Sequence, residues 1–310
     1  MATAVAAADR VPRRREPVIG TSRRRQALSF ALFLFAILAV WEGLKFLGGT
    51  PWRTPGALPG SPILWNPPFR WPFANDLTLP HLWNILYAFV QPWQPGVDKT
   101  TLAQKLVEAA LFTWRSAAIG FVFGTILGLI LATIFVHSRL LERALVPYVI
   151  ASQTVPIIAL APMIVFAVGQ NVVSVVIIAT YLTFFPVTIA MIRGLRSFDP
   201  RAMELMRSYA ASRSEIYWKL RLPASLPYLF TALKISATAG IVGAIIGEGP
   251  GGLAEGLGRL IITFNQYYIT GPEKLWAAIG GTAMLGIVFF LLIVGVEWLV
   301  LRNRRKPELA

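Results

Sequence analysis

Long apolar runs, separated by shorter polar segments, make up most of this chain. The run from residue 144 to residue 192 contains no Asp, Glu, Lys, Arg or His, and it is too long for one bilayer-spanning helix of about 20 residues. Two helices joined at Gly169-Gln170-Asn171, a typical turn sequence, fit its length. Because backbone polar groups find no water in the hydrocarbon core, each run must be helical. The pattern predicts an all-α polytopic membrane protein whose six transmembrane helices lie at about residues 27–46, 116–136, 147–168, 172–192, 226–247 and 275–296.

The composition agrees with this pattern and excludes several protein classes. Hydrophobic residues are 55% of the 310 residues and charged residues only 14%, whereas ordinary globular chains contain roughly 25% charged residues. The chain has no cysteine, which excludes a disulfide framework, a thiolate zinc site and a cysteine nucleophile. His81 and His137 lie far apart in the sequence and indicate no metal site. We therefore expect neither a metal nor a cofactor.

The basic residues are distributed unevenly among the polar segments. Twenty lie in the two terminal segments and in the loops after the second and fourth spans, whereas six lie in the other loops. Cytoplasmic loops of membrane proteins carry the excess of Lys and Arg. We therefore expect the tails at 1–26 and 302–310 and the loop at 193–225 to be cytoplasmic, in a protein of the inner membrane. The net charge of +14 then reflects topology, not nucleic-acid binding.

The first apolar run, at residues 27–46, has a second interpretation. Ser22-Arg23-Arg24-Arg25 precedes it and resembles a twin-arginine export signal. The run is long for a signal, however, and no A-x-A-like cleavage site follows it. We therefore expect the run to remain as the first transmembrane helix.

Residues 47–112 are predicted to form a long external segment. Its portion at 48–100 contains ten prolines and five tryptophans, which disfavours regular structure and favours a position at the membrane interface or over the external face. An insertion without a role is the alternative interpretation. A helix expected over 101–114 leads into the second span.

A row of glycines in the second span predicts close helix packing. Gly120, Gly124 and Gly128 are four residues apart and therefore lie on one face of a helix. Small residues at this spacing let two helix backbones approach each other, either within the chain or at a subunit interface.

The longest predicted cytoplasmic loop contains signals for two short helices. Asp199-Pro200 combines an N-cap residue with proline at the first helical position, which predicts a helix over 200–209. Ser212 and Glu215 have the S-x-x-E spacing of a capping box and predict the start of a second helix. We expect that helix to end near Leu222, because two prolines follow. Two capped helices joined by an elbow favour a docking surface over an ordinary packed loop.

This loop resembles the EAA motif of ABC importer permeases, whose pattern is E-A-A-x3-G-x9-I-x-L-P. Glu204 stands at the acidic position, Leu205 and Met206 replace the two alanines, and Ala210 replaces the glycine, with nine residues between it and Leu220. Because alanine disfavours the left-handed backbone that glycine accepts, we expect the geometry of this elbow to differ from that of the family. The residues that the resemblance assigns to ATPase coupling are Glu204, Ala210, Ala211, Ser212, Glu215, Leu222 and Pro223.

Segments outside the loop resemble one subgroup of these permeases, which imports nitrate, sulfonates, taurine, riboflavin and pyrimidine precursors. The similarity extends over about residues 101–305. The segments that carry it are Gln153-Thr154-Val155-Pro156, Ala161-Pro162, Phe184-Phe185-Pro186, Gly194, Asp199-Pro200 and Glu248.

The resemblance implies a type I ABC importer permease fold, in which one helix precedes a five-helix core at 113–301 and the loop at 199–223 forms a coupling helix pair. It also implies a permease homodimer, two docked ATPase subunits and an extracytoplasmic substrate-binding protein. The chain lacks a G-x-x-x-x-G-K-[ST] phosphate-binding sequence, so we expect the partner to hydrolyse ATP and this chain to be no enzyme. A polytopic membrane enzyme and a channel are the alternatives from other classes.

Candidate residues of the translocation path lie beside proline and glycine signals. Pro156 is expected to kink the third span and to free backbone carbonyls beside Gln153 and Thr154. Glu248 ends the fifth span next to a Gly-Pro-Gly-Gly turn. For each of these residues, packing within the bundle is the alternative interpretation.

The substrate class is predicted from charge and aromatic content. A path for anions favours buried cations, and Lys234 and Arg115 are the only candidates in or near the spans. The abundance of aromatic residues favours a flat heteroaromatic ligand, such as riboflavin or a pyrimidine precursor. Nitrate, sulfonate or taurine is the alternative.

Overall fold

The computed structural model describes residues 23–55, 61–94, 96, 99–249, 253 and 255–302. Most of the two predicted tails therefore lies outside the described residues. The described part is helical, with isolated bridges and no extended strand. The helices are α1 (Arg23–Leu47), α2 (Leu82–Ala88), α3 (Leu102–His137), α4 (Arg139–Ser152), α5 (Ile157–Val168), α6 (Val172–Gly194), α7 (Pro200–Ser208), α8 (Arg213–Ile216), α9 (Leu222–Glu248), α10 (Leu257–Gln266) and α11 (Pro272–Leu301).

Five helices of the described chain are long and apolar enough to cross a membrane. They are α1, α3, α6, α11 and the continuous helix from Arg213 through α9 to Glu248. Together α4 and α5 also pass this test, and they add a sixth span when the bent pair is taken as one broken span. The all-α fold and its number of apolar spans agree with the sequence pattern.

The third span differs from its prediction. We expected one kinked helix over 147–168, but α4 and α5 are separate helices that meet at an angle of 96°. Pro156 has a ψ of 117°, which is extended backbone, so the chain leaves the helical conformation before α5 begins. Proline is tolerated in the first turn of a helix but not in its interior without disruption. The proline therefore breaks this span instead of kinking it.

The second span begins much earlier than its apolar centre. The helix expected at 101–114 and the span expected at 116–136 are one helix, α3, of 36 residues. Thr101 caps it in a reciprocal capping box with Gln104. No proline or glycine interrupts residues 102–119, so nothing in the sequence stops the helix before its apolar part.

The chain forms two compact units, and the proline- and tryptophan-rich segment is divided between them. The first unit contains α1 up to Arg53 together with residues 61–79, and the second contains residues 54–60 and everything from Pro80 onward. Within the first unit, the buried Lys45 ammonium donates to the Asp76 carboxylate at 2.5 Å and to the Leu79 carbonyl at 2.6 Å. The segment at 61–79 is therefore held to the C-terminal end of α1 by an ion pair between buried Lys45 and partly exposed Asp76.

In the second unit, α2 belongs to a well-packed core. It buries Ala88 in one cluster with the first turns of α3, with α10 and with the first turns of α11. Leu102, Leu257 and Ala277 are the corresponding residues of those three helices. This part of the segment therefore completes a core, although its composition disfavoured regular structure.

The centre of the second unit is formed by α3, α6 and α9. A Cβ atom added to Gly120 would lie 2.5 Å from the Cβ of Ala179, and one added to Gly124 would lie 2.6 Å from the Cβ of Thr183. At Gly128 the nearest atom would be the carbonyl oxygen of Phe184, at 2.8 Å. The predicted glycine row therefore serves close packing of α3 on α6 within this chain.

Candidate coupling and translocation sites

The coupling loop, residues 199–223, contains both predicted short helices. The Asp199 side chain accepts a hydrogen bond from the backbone N–H of Arg201 at 2.9 Å, and Pro200 lies in the first turn of α7. This confirms the predicted N-cap and helix. An N-cap satisfies one of the orphan N–H groups at the start of a helix, so the position of α7 is set locally by its own sequence.

The elbow after α7 has the geometry that glycine usually provides. The Ala211 N–H donates to the Met206 carbonyl at 3.0 Å, and the Ala210 N–H donates to the Arg207 carbonyl at 2.9 Å. These two bonds form a Schellman motif with Ala210 at the left-handed position, where its φ is +51°. Our expectation of a different elbow was wrong, because the two hydrogen bonds hold alanine in the backbone conformation that a family glycine would adopt.

The predicted capping box starts α8 and stabilises the second half of the elbow. The Ser212 hydroxyl accepts from the Glu215 N–H at 3.3 Å, while the Glu215 carboxylate accepts from the Ser212 N–H at 2.9 Å. Lys219, one turn later, donates to the other carboxylate oxygen at 3.1 Å. Local hydrogen bonds on both sides thus fix the elbow without help from the rest of the chain.

The second helix does not end near Leu222, and that prediction was wrong. After α8 the chain continues through a π-helical segment, Tyr217–Arg221, directly into α9. Pro223 lacks the N–H that an α-helix would use, and its ring would crowd the preceding turn. The wider π turn, in which the Leu222 N–H bonds the Tyr217 carbonyl, accommodates the proline within a continuous helix. The coupling loop is therefore joined rigidly to a membrane span.

A second connection links the coupling loop to α3. The Tyr217 hydroxyl lies 2.9 Å from the Thr133 hydroxyl, which itself donates to the Leu129 carbonyl. This bond was not predicted, because residues 133 and 217 are far apart in the sequence and only the folded chain brings them together.

The coupling loop exposes large apolar side chains on both sides of its elbow. Leu205 is 58% exposed, Tyr209 78% and Trp218 64%. Glu204, beside them, is also exposed and makes no hydrogen bond or ion pair within the described part of the chain. Glu204 therefore does not hold the two short helices together, and the elbow hydrogen bonds do this instead. Sequence analysis missed Tyr209 and Trp218, although aromatic residues in a polar loop are a typical signal of an interface.

The break between α4 and α5 contains three of the predicted path residues, Gln153, Thr154 and Pro156. The Thr154 hydroxyl donates to the Ala151 carbonyl at 2.7 Å, which satisfies one carbonyl at the end of α4. The side-chain nitrogen of Gln153 is buried and has no acceptor among the described residues. The break therefore places an unused amide donor beside exposed backbone turns.

Glu248, the fourth predicted path residue, is fully buried in this conformation. Its carboxylate accepts from the Thr113 hydroxyl and from the Gly258 N–H, each at 2.9 Å. The Thr113 hydroxyl in turn accepts from the Leu257 N–H at 2.9 Å. Glu248 and Thr113 thus satisfy the first N–H groups of α10. The carboxylate connects α3, α9 and α10.

The two candidate cations of the spans have different surroundings. The Lys234 ammonium forms an ion pair with Glu297 of α11, at 2.9 Å. Arg115 lies on the exposed surface of α3. Sequence analysis missed Glu297 as the partner of Lys234, because the two residues lie on different helices.

Comparison with known proteins places the chain in one family. Residues 124–306 match the family model described as the binding-protein-dependent transport system inner membrane component. The formylaminopyrimidine transport permease of Halalkalibacterium halodurans is 34% identical over 65% of this chain and 81% of its own length. The riboflavin transport permease of Chloroflexus aurantiacus is 30% identical over 76% of this chain and 91% of its own.

A more distant relative is named for another substrate. The putative aliphatic sulfonates permease of Bacillus subtilis is 29% identical over 55% of this chain and 60% of its own length. The names of the relatives therefore span several substrate classes.

Solved structures show the same fold. An amino acid ABC transporter chain matches with a TM-score of 0.52 and 16% identity, over 63% of this chain and 94% of its own. A chain of the inward-facing MetNI methionine ABC transporter matches with a TM-score of 0.51 and 20% identity, over 66% and 96%. Because the family model covers more than half of the chain, this multi-pass inner-membrane protein belongs to the permeases of ABC importers and has the type I permease fold.

Proposed function

We propose that this permease works as a homodimer that receives its substrate from an extracytoplasmic binding protein and docks one ATPase subunit on each coupling loop. The observation that carries the proposal is the exposure of Glu204, Leu205, Tyr209 and Trp218 along the coupling loop. Monomeric surfaces seldom leave large aromatic side chains this exposed in a rigid, well-capped loop, and Tyr and Trp are enriched at the energetic centres of interfaces.

The shape of the coupling loop supports a mechanical role. When ATP closes the ATPase pair, the docked elbows move with it. Since the helix from Arg213 continues through the π segment into α9, a displacement of the elbow moves the whole span. ATP therefore shifts the population between inward- and outward-facing states by binding one of them more tightly.

The orientation follows from the asymmetry of basic residues. Both termini and the coupling loop lie in the cytoplasm, and the end that contains α2 and α10 lies outside. This orientation also puts the coupling loop on the side where ATP is available.

The break between α4 and α5 is our candidate for the substrate-facing part of the path. Irregular backbone at membrane depth is tolerated where it lines a cavity or is buried in protein. Gln153 offers an amide donor, Thr154 a hydroxyl and Pro156 the break itself. Glu248 has no exposed surface in this conformation and therefore cannot contact the substrate directly. It acts indirectly, because it holds α10 in position.

The substrate that best fits is a small heteroaromatic molecule, either a pyrimidine precursor or riboflavin. Lys234, which an anion path would require as a free cation, is neutralised by Glu297. The two relatives with 30% identity or more that are named above transport such molecules by name. A sulfonate, taurine or nitrate is the second candidate, favoured by the family's other members.

The test is uptake into proteoliposomes that contain this permease and its co-purified ATPase, with the extracytoplasmic substrate-binding protein added. Labelled formylaminopyrimidine and riboflavin should be taken up when ATP is supplied, and taurine should not. Uptake of taurine alone would show that the substrate is not a heteroaromatic molecule. The assignment of the chain as the permease of an ABC importer would be unchanged. Hydrolysis of ATP by the chain alone, or flux without ATP, would indicate an enzyme or a channel and would contradict the proposal.

A further inference from the structure

A polar cavity separate from the path and the elbow lies where several helices end. Its volume is about 670 Å³, and its charged lining residues are Arg139, Glu142, Arg143, Arg196 and Arg221. We refer to this cavity as the basic pocket. Val146 and Pro147 contribute an apolar wall from the same face of α4 as Arg139 and Arg143.

The basic pocket has an excess of positive charge that the chain does not neutralise. Glu142 directs both carboxylate oxygens at Arg196, with distances of 2.8 and 2.6 Å. The Arg221 guanidinium lies 5.2 Å from the centroid of the Phe198 ring. Arg139 and Arg143 form no ion pair within 4.0 Å in the described part of the chain. Four arginines and one glutamate leave three positive charges in excess around one cavity.

The position of the pocket indicates contact with the membrane surface. Arg139 follows the end of α3 directly, Arg196 follows the end of α6, and Arg221 precedes α9. All three therefore lie where spans leave the bilayer, not at the elbow. Elsewhere on α4, Leu140 (78%) and Tyr148 (74%) are largely exposed, as expected for a helix against lipid.

We propose that the basic pocket binds the phosphate headgroup of an anionic phospholipid of the cytoplasmic leaflet. An arginine guanidinium can donate two parallel hydrogen bonds to phosphate oxygens. Basic pockets between spans on the cytoplasmic side are suited to anionic headgroups. Val146 and Pro147 would contact the glycerol and the first acyl carbons. A free phosphate ion offers the same oxygens but would leave this apolar wall without a partner.

The probe is phosphatidylglycerol, compared with phosphatidylcholine of identical acyl chains, bound to the purified full-length permease and measured by native mass spectrometry. The wild-type chain should retain phosphatidylglycerol selectively. The double variant Arg139→Gln/Arg143→Gln should bind it about 30-fold more weakly, since each basic residue near an anionic surface contributes about fivefold. Arg193→Gln is the matched control, because it removes an exposed charge at the end of α6, outside the pocket, and it should change nothing.

Glu142→Gln is a second test of the lipid site. Its expected result is tighter lipid binding, which a misfolded protein would not show. It removes the one carboxylate of the pocket lining and frees Arg196, so phosphatidylglycerol should bind several-fold more tightly.

Equal retention of the lipid by the wild type and the double variant would overturn the proposal. Displacement of the lipid by millimolar inorganic phosphate would overturn the lipid assignment in favour of a free anion. A double variant that retains lipid but loses its ATPase would assign these arginines to subunit docking instead.

Discussion

Ala210 occupies a backbone conformation that disfavours every residue with a Cβ atom. Its φ of +51° completes the Schellman motif that ends α7, and a residue other than glycine in this region costs about 1–2 kcal/mol. The chain therefore carries local strain at the centre of the elbow between α7 and α8. The surrounding hydrogen bonds, not the residue itself, determine the conformation.

Replacing Ala210 with glycine should relieve this strain. We expect Ala210→Gly to raise the stability of the detergent-solubilised permease by about 1 kcal/mol, with uptake retained. Thermal unfolding and transport assays measure the two effects. Ala211→Gly removes the same methyl group where φ is not positive, so it should give no gain. Equal stabilisation by both variants would contradict the role assigned to the left-handed position.

Charge changes on the exposed face should uncouple the transporter without unfolding it. Ala211→Asp and Glu204→Lys should each weaken ATPase docking by roughly 2 kcal/mol, or about 30-fold, because they place an unmatched charge in the interface. Membrane insertion should remain normal, since the elbow hydrogen bonds use backbone groups. Pull-down of the ATPase and uptake are the measurements, with Glu204→Gln as the milder comparison. Normal uptake by Ala211→Asp would show that the ATPase docks elsewhere.

At the level of elements, two prolines have opposite outcomes. Pro156 separates α4 from α5, whereas Pro223 is contained in the continuous helix from α8 to α9. The difference lies in the neighbouring turn, since a π-helical segment precedes Pro223 and gives its ring room. A helix that carries force from the coupling loop must be continuous, and a broken span provides irregular backbone beside a path.

The packing of α3 on α6 gives a prediction with an internal control. Gly124→Ala places a methyl group 2.6 Å from the Cβ of Thr183 and 2.8 Å from the Thr180 carbonyl, and should cost about 1–3 kcal/mol. Gly286→Ala, on α11, meets no atom within 4 Å and should be tolerated. Midpoints of thermal unfolding in one detergent compare the two variants. A loss of stability at Gly286 equal to that at Gly124 would argue against the close contact.

At the scale of the whole molecule, the chain consists of a first unit around α1 and a second unit that contains the other spans. The matched family model begins at residue 124 and therefore lies within the second unit. The part of the chain that matches the family thus belongs to the second unit, while α1 and residues 61–79 are joined by their own ion pair between Lys45 and Asp76.

The proposed topology is testable because the chain has no native cysteine. In intact cells, a membrane-impermeant thiol reagent should label a cysteine at exposed Gln266 and leave a cysteine at Ser212 unmodified until the membrane is opened. The excess of basic residues on the side of Ser212 is the physical reason. Labelling of the Ser212 cysteine from outside would invert the orientation.

Periodicity, caps and charge were enough to predict the all-α class, the apolar spans, the start of α7 and the capping box of α8. These features depend on residues within a few positions of one another, so the local sequence contains their cause. The capping signals of the loop also located the elbow between α7 and α8, and its role in ATPase coupling stays a prediction.

Features that depend on contacts between distant residues could not be predicted from the local sequence. The ion pair between Lys234 and Glu297, the bond between Tyr217 and Thr133 and the bond between Thr113 and Glu248 each join helices far apart in the chain. Local signals also gave the wrong outcome at Pro223, because ending the helix and continuing it through a π turn are alternatives of similar local energy. Packing of the folded chain selects among such alternatives, since a difference of 1–2 kcal/mol is small beside the contacts that surround it.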